Sequence, residues 1–105
     1  MYVYKEKIKK EITYMNDIQK DFFNSLQEIQ QLVVNLSICN YKKGDNIEEL
    51  LEDITYDTIY MIMELIDGYS NHNLQLDIID RYTRESIRTG IELHDICADY
   101  LKCKK

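Results

Sequence analysis

Apolar residues recur at helical spacing through the first forty positions of the chain. Ile8, Met15, Phe22, Ile29 and Leu36 repeat every seven residues, Ile18, Leu32 and Cys39 fall three later, and Ile12, Leu26 and Val33 flank the stripe. This heptad-like seam predicts one long amphipathic helix over residues 4–43. Lys42, Lys43 and Gly44 close it, with cations at a helix C-terminus and then a residue that tolerates the left-handed conformation. A second helix is predicted over 46–67, with Asp45 as its N-cap and Glu48 completing a capping box. Ile47, Leu50, Leu51, Ile54, Thr58, Met61, Ile62 and Leu65 form one face of it. Beyond Ile54 the other faces are apolar too, through Tyr56, Ile59, Tyr60, Met63 and Ile66, which is the pattern of a central helix. Gly68 ends that run, and a polar loop follows through Asn73.

Residues 74–89 read in two ways. Strict alternation in Leu74-Gln75-Leu76-Asp77-Ile78 suits a strand, with Ser86–Thr89 returning as its partner in a short β-hairpin. Leu74, Ile78 and Tyr82 also lie at helical spacing, and the turn lacks Gly and Asn. The hairpin is the leading reading and a helix the alternative. A last helix is predicted from the capping-box spacing at Thr89-Gly90-Ile91-Glu92 to about residue 102, with Ile91, Ile96, Cys97, Tyr100 and Leu101 on one face. The expected fold is therefore mainly α: a single domain, 1–105, built as a three-helix antiparallel bundle with a long N-terminal helix.

An unbroken helix over 5–43 would span about 58 Å, whereas a compact domain of this length is roughly 35 Å across. The helix must break, for which Ser25 and Glu28 offer a second capping box, or bury its excess against another copy. The seam keeps its face through Ser25. A homo-oligomer built on Ile8, Met15, Phe22 and Ile29 is the resulting expectation.

Composition narrows the class. The chain has 105 residues, no Pro, three Gly and no Trp, which disfavours a turn-rich sandwich or barrel. No apolar run approaches the roughly 18 residues of a membrane span, so no membrane partner is expected. The start shows no apolar signal-peptide core, and Cys39, Cys97 and Cys103 show no metal-type pair spacing. A reduced, cytoplasmic setting is the simple reading. The net charge of −6 is unevenly placed: residues 44–80 carry ten acidic groups and no Lys or Arg, while both flanking segments are net positive. That balance argues against a nucleic-acid groove. It is compatible with basic ends packing beside an acidic centre, or with an acidic face for a basic protein partner at Glu49, Glu52, Asp53 and Tyr56.

Several residue groups could carry chemistry. Glu48-Glu49-Leu50-Leu51-Glu52 matches E-E-x-x-E, and Glu64-Leu65-Ile66-Asp67 matches E-x-x-D. Together they resemble the metal-binding motifs of the all-α, MazG-like nucleotide pyrophosphohydrolases. The resemblance implies Mg²⁺ held by Glu48, Glu49, Glu52, Glu64 and Asp67, and hydrolysis of a nucleoside triphosphate. On one continuous helix Glu48 and Glu64 lie about 24 Å apart, so a shared ion would need a second copy. Met63–Tyr69 and Ile91–Asp95 also resemble segments of small uncharacterised bacterial proteins, which implies a cytosolic bacterial setting. Arg81, Arg84 and Arg88 are the only arginines and would form one stripe if 74–89 were helical. Such a stripe suits phosphate or nucleotide, and the arginines could equally pair with Asp77, Asp80 and Glu85. Asp57 lies within the apolar half of the second helix, and a solvated edge is its simplest place. His94 and Cys97 have i, i+3 spacing, but His72 and Cys103 do not complete a closed zinc set, so His94 reads as structural. The leading expectation is a small non-catalytic protein-interaction module, a regulator or inhibitor, with no cofactor. The alternatives are a Mg²⁺-dependent pyrophosphohydrolase and an anion sensor.

Overall fold

The computed structural model describes residues 14–103, which form three helices: α1 (Asp17–Asn40), α2 (Ile47–Ile66) and α3 (Leu93–Tyr100). Among the described residues there is no strand or sheet. The fold is the expected mainly α three-helix bundle, with α2 packed against both α1 and α3.

α1 starts later than the heptad pattern predicts. Asn16, with extended backbone (φ −75°, ψ 169°), interrupts the run. Its Oδ1 accepts the Gln19 N–H at 2.8 Å, and the Gln19 Oε1 accepts the Asn16 N–H at 2.9 Å. This reciprocal capping box satisfies two amide donors that helix ends leave orphaned, and it wins over the continuing apolar stripe. Ile8 and the rest of residues 1–13 lie outside the described residues. The helix does not break at Ser25, whose hydroxyl donates back to the Asp21 carbonyl at 2.9 Å within the turn. Ser25 faces inward and is buried.

The α1–α2 turn also departs from the predicted capping. Asn46, not Asp45, caps α2 by accepting the Glu49 N–H at 3.1 Å. Asp45 instead accepts the Lys42 N–H at 2.8 Å and closes the turn in front of it. At the other end of α2, Gly68 adopts φ 90°. The Tyr69 amide reaches the Glu64 carbonyl at 3.0 Å and the Gly68 amide the Leu65 carbonyl at 3.1 Å. This is a Schellman stop, and the left-handed residue it requires explains the glycine.

The core forms where α1 and α2 run antiparallel. Ile29, Val33, Leu65 and Leu74 are its buried centre, with Phe22, Leu26, Ile54, Met61, Ile62 and Leu76 packed around them. Leu65 and Leu74 are fully buried. Leu74 comes from the long connection between α2 and α3, so the apolar alternation of that segment is spent on plugging the helix pair. The expected hairpin is reduced to one antiparallel bridge, Ile79 with Ser86. The helical alternative does not form either. The Asp80 carboxylate accepts the Tyr82 and Thr83 amides at 2.9 Å each, and Arg84 sits at φ 68°, where a glycine or asparagine would be at ease. Backbone pairing therefore stops at the turn itself.

α3 also begins later than predicted, at Leu93. Thr89 and Gly90 remain in a turn, and Glu92 stands at the N-cap without a side-chain capping bond. α3 runs antiparallel to α2 and buries Leu93 and Cys97. At about 100° per residue, Ile54, Thr58 and Leu65 point towards α1, while Tyr60 and Glu64 point to the side that α3 occupies.

Candidate functional site

The most concentrated polar chemistry lies where the end of α2 meets the start of α3. The Schellman stop fixes Asp67 at the C-cap of α2, with its side chain wholly buried. Its Oδ2 accepts two hydrogens from His94: the backbone N–H at 3.0 Å and the ring Nδ1 at 2.7 Å. Asp67 thus supplies the N-terminal acceptor that Glu92 does not give to α3. Glu92 turns away, and its Oε1 accepts the Tyr69 hydroxyl at 3.1 Å. Arg88 approaches from the connecting segment. Its Nη1 donates to the Leu76 carbonyl at 3.1 Å, and its Nε lies 3.5 Å from Asp67 Oδ1. The rings of Tyr69 and Tyr60 meet the His94 imidazole edge to face, at centroid distances of 4.9 and 5.6 Å. Nε2 of His94 lies 3.4 Å from the exposed Asp95.

These contacts set the charge states. Burial pushes the Asp67 carboxyl up, but the His94 amide and ring and the Leu93 amide together hold it below the usual carboxylate range. The hydrogen bond that its ring donates to Asp67 raises His94 against the opposing effect of burial, and Asp95 and Glu64 add to the rise. The hydrogen bond to Glu92 pushes the Tyr69 phenol up. Asp67 Oδ1, Glu92 Oε2 and Arg88 Nε are nevertheless buried without a well-aligned hydrogen-bond partner. Asp67, Glu92 and His94 each offer a ligand atom, and those atoms lie within 4.8 Å of one another.

The sequence points to only part of this cluster. His94 and Asp67 stand out in the sequence, but their distance of 27 positions hides the pairing, and Glu92 reads as a cap. The one legible signal is a glutamate at a helix start whose capping partner, Thr89, is followed by Gly90, a poor beginning for a helix.

The other candidate residues are distributed differently. Arg88 enters the cluster, whereas Arg81 and Arg84 are exposed in the connection, which is not helical, so the three do not form a stripe. Glu48, Glu49 and Glu52 lie in the first two turns of α2, and Glu64 and Asp67 lie at its end, so Glu52 and Glu64 are separated by about 18 Å of helix rise. Glu49 and Asp53 line a cleft with Asp57, Ser37 and Asn40 beside the α1–α2 turn. Tyr56 stacks on Tyr60 with ring centroids 6.0 Å apart. Of the seam residues, Ile29 is buried in the chain's own core, Phe22 packs against that core, and Met15 is half-buried.

A second feature is apolar. Between α1 and α2 an open groove is lined by Leu26, Ile29, Val33 and Val34 on one side and by Ile54, Thr58 and Ile62 on the other. Among the described residues, no helix is long and apolar enough to cross a membrane. No protein-family model, curated protein or solved structure matches the chain.

Proposed function

We propose that the chain is a small non-catalytic interaction module, a regulator or inhibitor that acts by contact. It associates with itself along the apolar flank of the α1–α2 pair and takes a basic protein on the acidic side of α2. The observation that carries this reading is the unspent apolar surface. α1 commits Phe22, Ile29 and Val33 to the core, yet Val34 remains 45% exposed and Ile38 70% exposed. Leu51 and Ile59 stay exposed on α2, on the same flank as the groove residue Ile62. A run of apolar side chains beside an open groove is the usual mark of a contact surface. The self-contact we propose lies beside the heptad seam, of which Phe22 and Ile29 pack in or against the chain's own core.

Sedimentation at micromolar concentration tests the reading. The expected result is a dimer or larger species that becomes monomeric in a Val34→Glu, Ile38→Glu double variant with unchanged helical circular dichroism. A wild-type monomer overturns the self-association. The basic partner follows from the charge layout, since residues 44–80 carry ten acidic groups and no Lys or Arg, and its association should slow with added salt and with charge reversal at Glu52.

A further inference from the structure

We propose that Asp67, Glu92 and His94 form a binding site for a transition-metal ion of the zinc class, which staples α3 to the end of α2. The three donor atoms already lie within 4.8 Å of one another, so small side-chain rotations bring them around one ion. The donor set is one imidazole nitrogen and two carboxylate oxygens. Imidazole favours Zn²⁺, Co²⁺ or Ni²⁺ over Mg²⁺ and Ca²⁺, which take oxygen ligands.

Two further observations point to a cation rather than to a closed polar network. The first is the pair of orphaned oxygens. The Asp67 side chain is wholly buried, its Oδ1 lacks a hydrogen-bond donor, and Glu92 Oε2 is buried in the same condition. Arg88 contributes charge, but its Nε stands 3.5 Å from Oδ1 and makes no aligned hydrogen bond there. Buried carboxylate oxygens without a donor are costly, and a directly coordinated cation removes that cost. The second is the conduct of Glu92. It occupies an N-cap but forms no capping bond, and the Tyr69 hydroxyl donates to its Oε1 while Oε2 lies buried. That hydroxyl takes one carboxylate oxygen and leaves the other for the ion, the usual arrangement of an outer partner that orients a ligand.

The protein groups suit this role. Tyr60 and Tyr69 bracket the imidazole and fix its plane. His94 uses Nδ1, so an incoming ion displaces the proton shared with Asp67 Oδ2 and that proton passes to solvent. The Oδ2 atom keeps the His94 backbone amide. Three protein ligands leave a fourth position for water or for a partner's side chain. The competing way to balance the two carboxylates is a proton on His94 together with Arg88, and the experiment separates the two.

Protein stripped with EDTA is titrated with Zn²⁺ by calorimetry and with Co²⁺ by visible absorption. The expected result is one ion per chain, a rise of several degrees in Tm, and visible cobalt bands without the near-ultraviolet thiolate charge-transfer band. Glu92→Gln should weaken binding at least tenfold while leaving the Tm of the stripped protein within about two degrees, because the amide oxygen still accepts from Tyr69. His94→Gln should abolish binding. The proposal is overturned by an aqua-ion cobalt spectrum with no Tm response to Zn²⁺. It is equally overturned by a thiolate band, which moves the ligands to the cysteines, or by binding that both variants leave intact.

Discussion

At the scale of single residues, short side-chain-to-backbone bonds decide where elements start and stop. Asn16 closes a capping box that the hydrophobic pattern runs straight through. Asn16→Ala should cost about 1 kcal/mol of stability, read from urea denaturation, with loss of helicity confined to the first turn of α1. Asp80 holds the tip of the connecting segment. Its carboxyl is drawn below the ordinary value of 3.8 by the Thr83 and Tyr82 amides. A depressed carboxyl favours the folded turn above the ordinary value and loses that contribution as pH falls through its own lower midpoint. The amide proton shifts of Tyr82 and Thr83 should therefore move together with a midpoint below 3.8, and Asp80→Asn should remove the transition. A midpoint at or above the ordinary value would show that the two bonds do not favour the carboxylate. In the core, Leu65 is fully buried, and Leu65→Ala should cost about 2–5 kcal/mol by calorimetry, the range for deleting a buried leucine and leaving a cavity.

At the scale of elements, the helices were largely legible and their connections were not. The 3.6-residue pattern located all three helices, because amphipathic periodicity and burial of one face are the same physical fact. A helix start is ambiguous in sequence where two candidate caps stand side by side. Asp45 and Asn46 are both good N-caps, and only the path of the turn decides that Asp45 serves Lys42. Residues 74–89 failed for a different reason. Their alternation reflects Leu74 and Leu76 entering the helix-pair core, not a sheet. Period-two hydrophobicity marks one buried side, and a strand also needs a partner for its backbone, which here ends at one bridge. The stop of α2 is the firmest of the connections. At Gly68 open space surrounds the α-carbon, so an added methyl clashes with nothing and the whole effect lies in the backbone. With φ at 90°, Gly68→Ala should lower stability by about 1–2 kcal/mol in thermal melts, and Tyr69 and Asp67 should lose order with it.

At the scale of the whole molecule, the central helix α2 is shared by two partners, and the apolar flank of the α1–α2 pair stays uncovered among the described residues. Hydrophobic self-association should survive high salt, whereas binding of a basic protein at the acidic side should weaken as exposed charges are screened. Measuring both at 50 mM and 500 mM NaCl, about a threefold change in screening length, separates the two surfaces. Dimerisation that collapses with salt would assign the self-contact to charge instead of the Val34 and Ile38 flank.

The amino-acid order alone determined the helical class, the approximate helix positions, the central place of α2 and the unequal charge layout, since each follows from local periodicity and composition. Only the tertiary structure decided which face of α1 is spent on the core, since a seam with a near-seven-residue repeat drifts on a 3.6-residue helix and the packing of α2 selects one part of it. It alone brought Asp67, Arg88, Glu92 and His94 together. That cluster depends on two chain reversals, at Gly68 and in the segment before α3, and contacts made across such reversals leave no periodic trace in sequence.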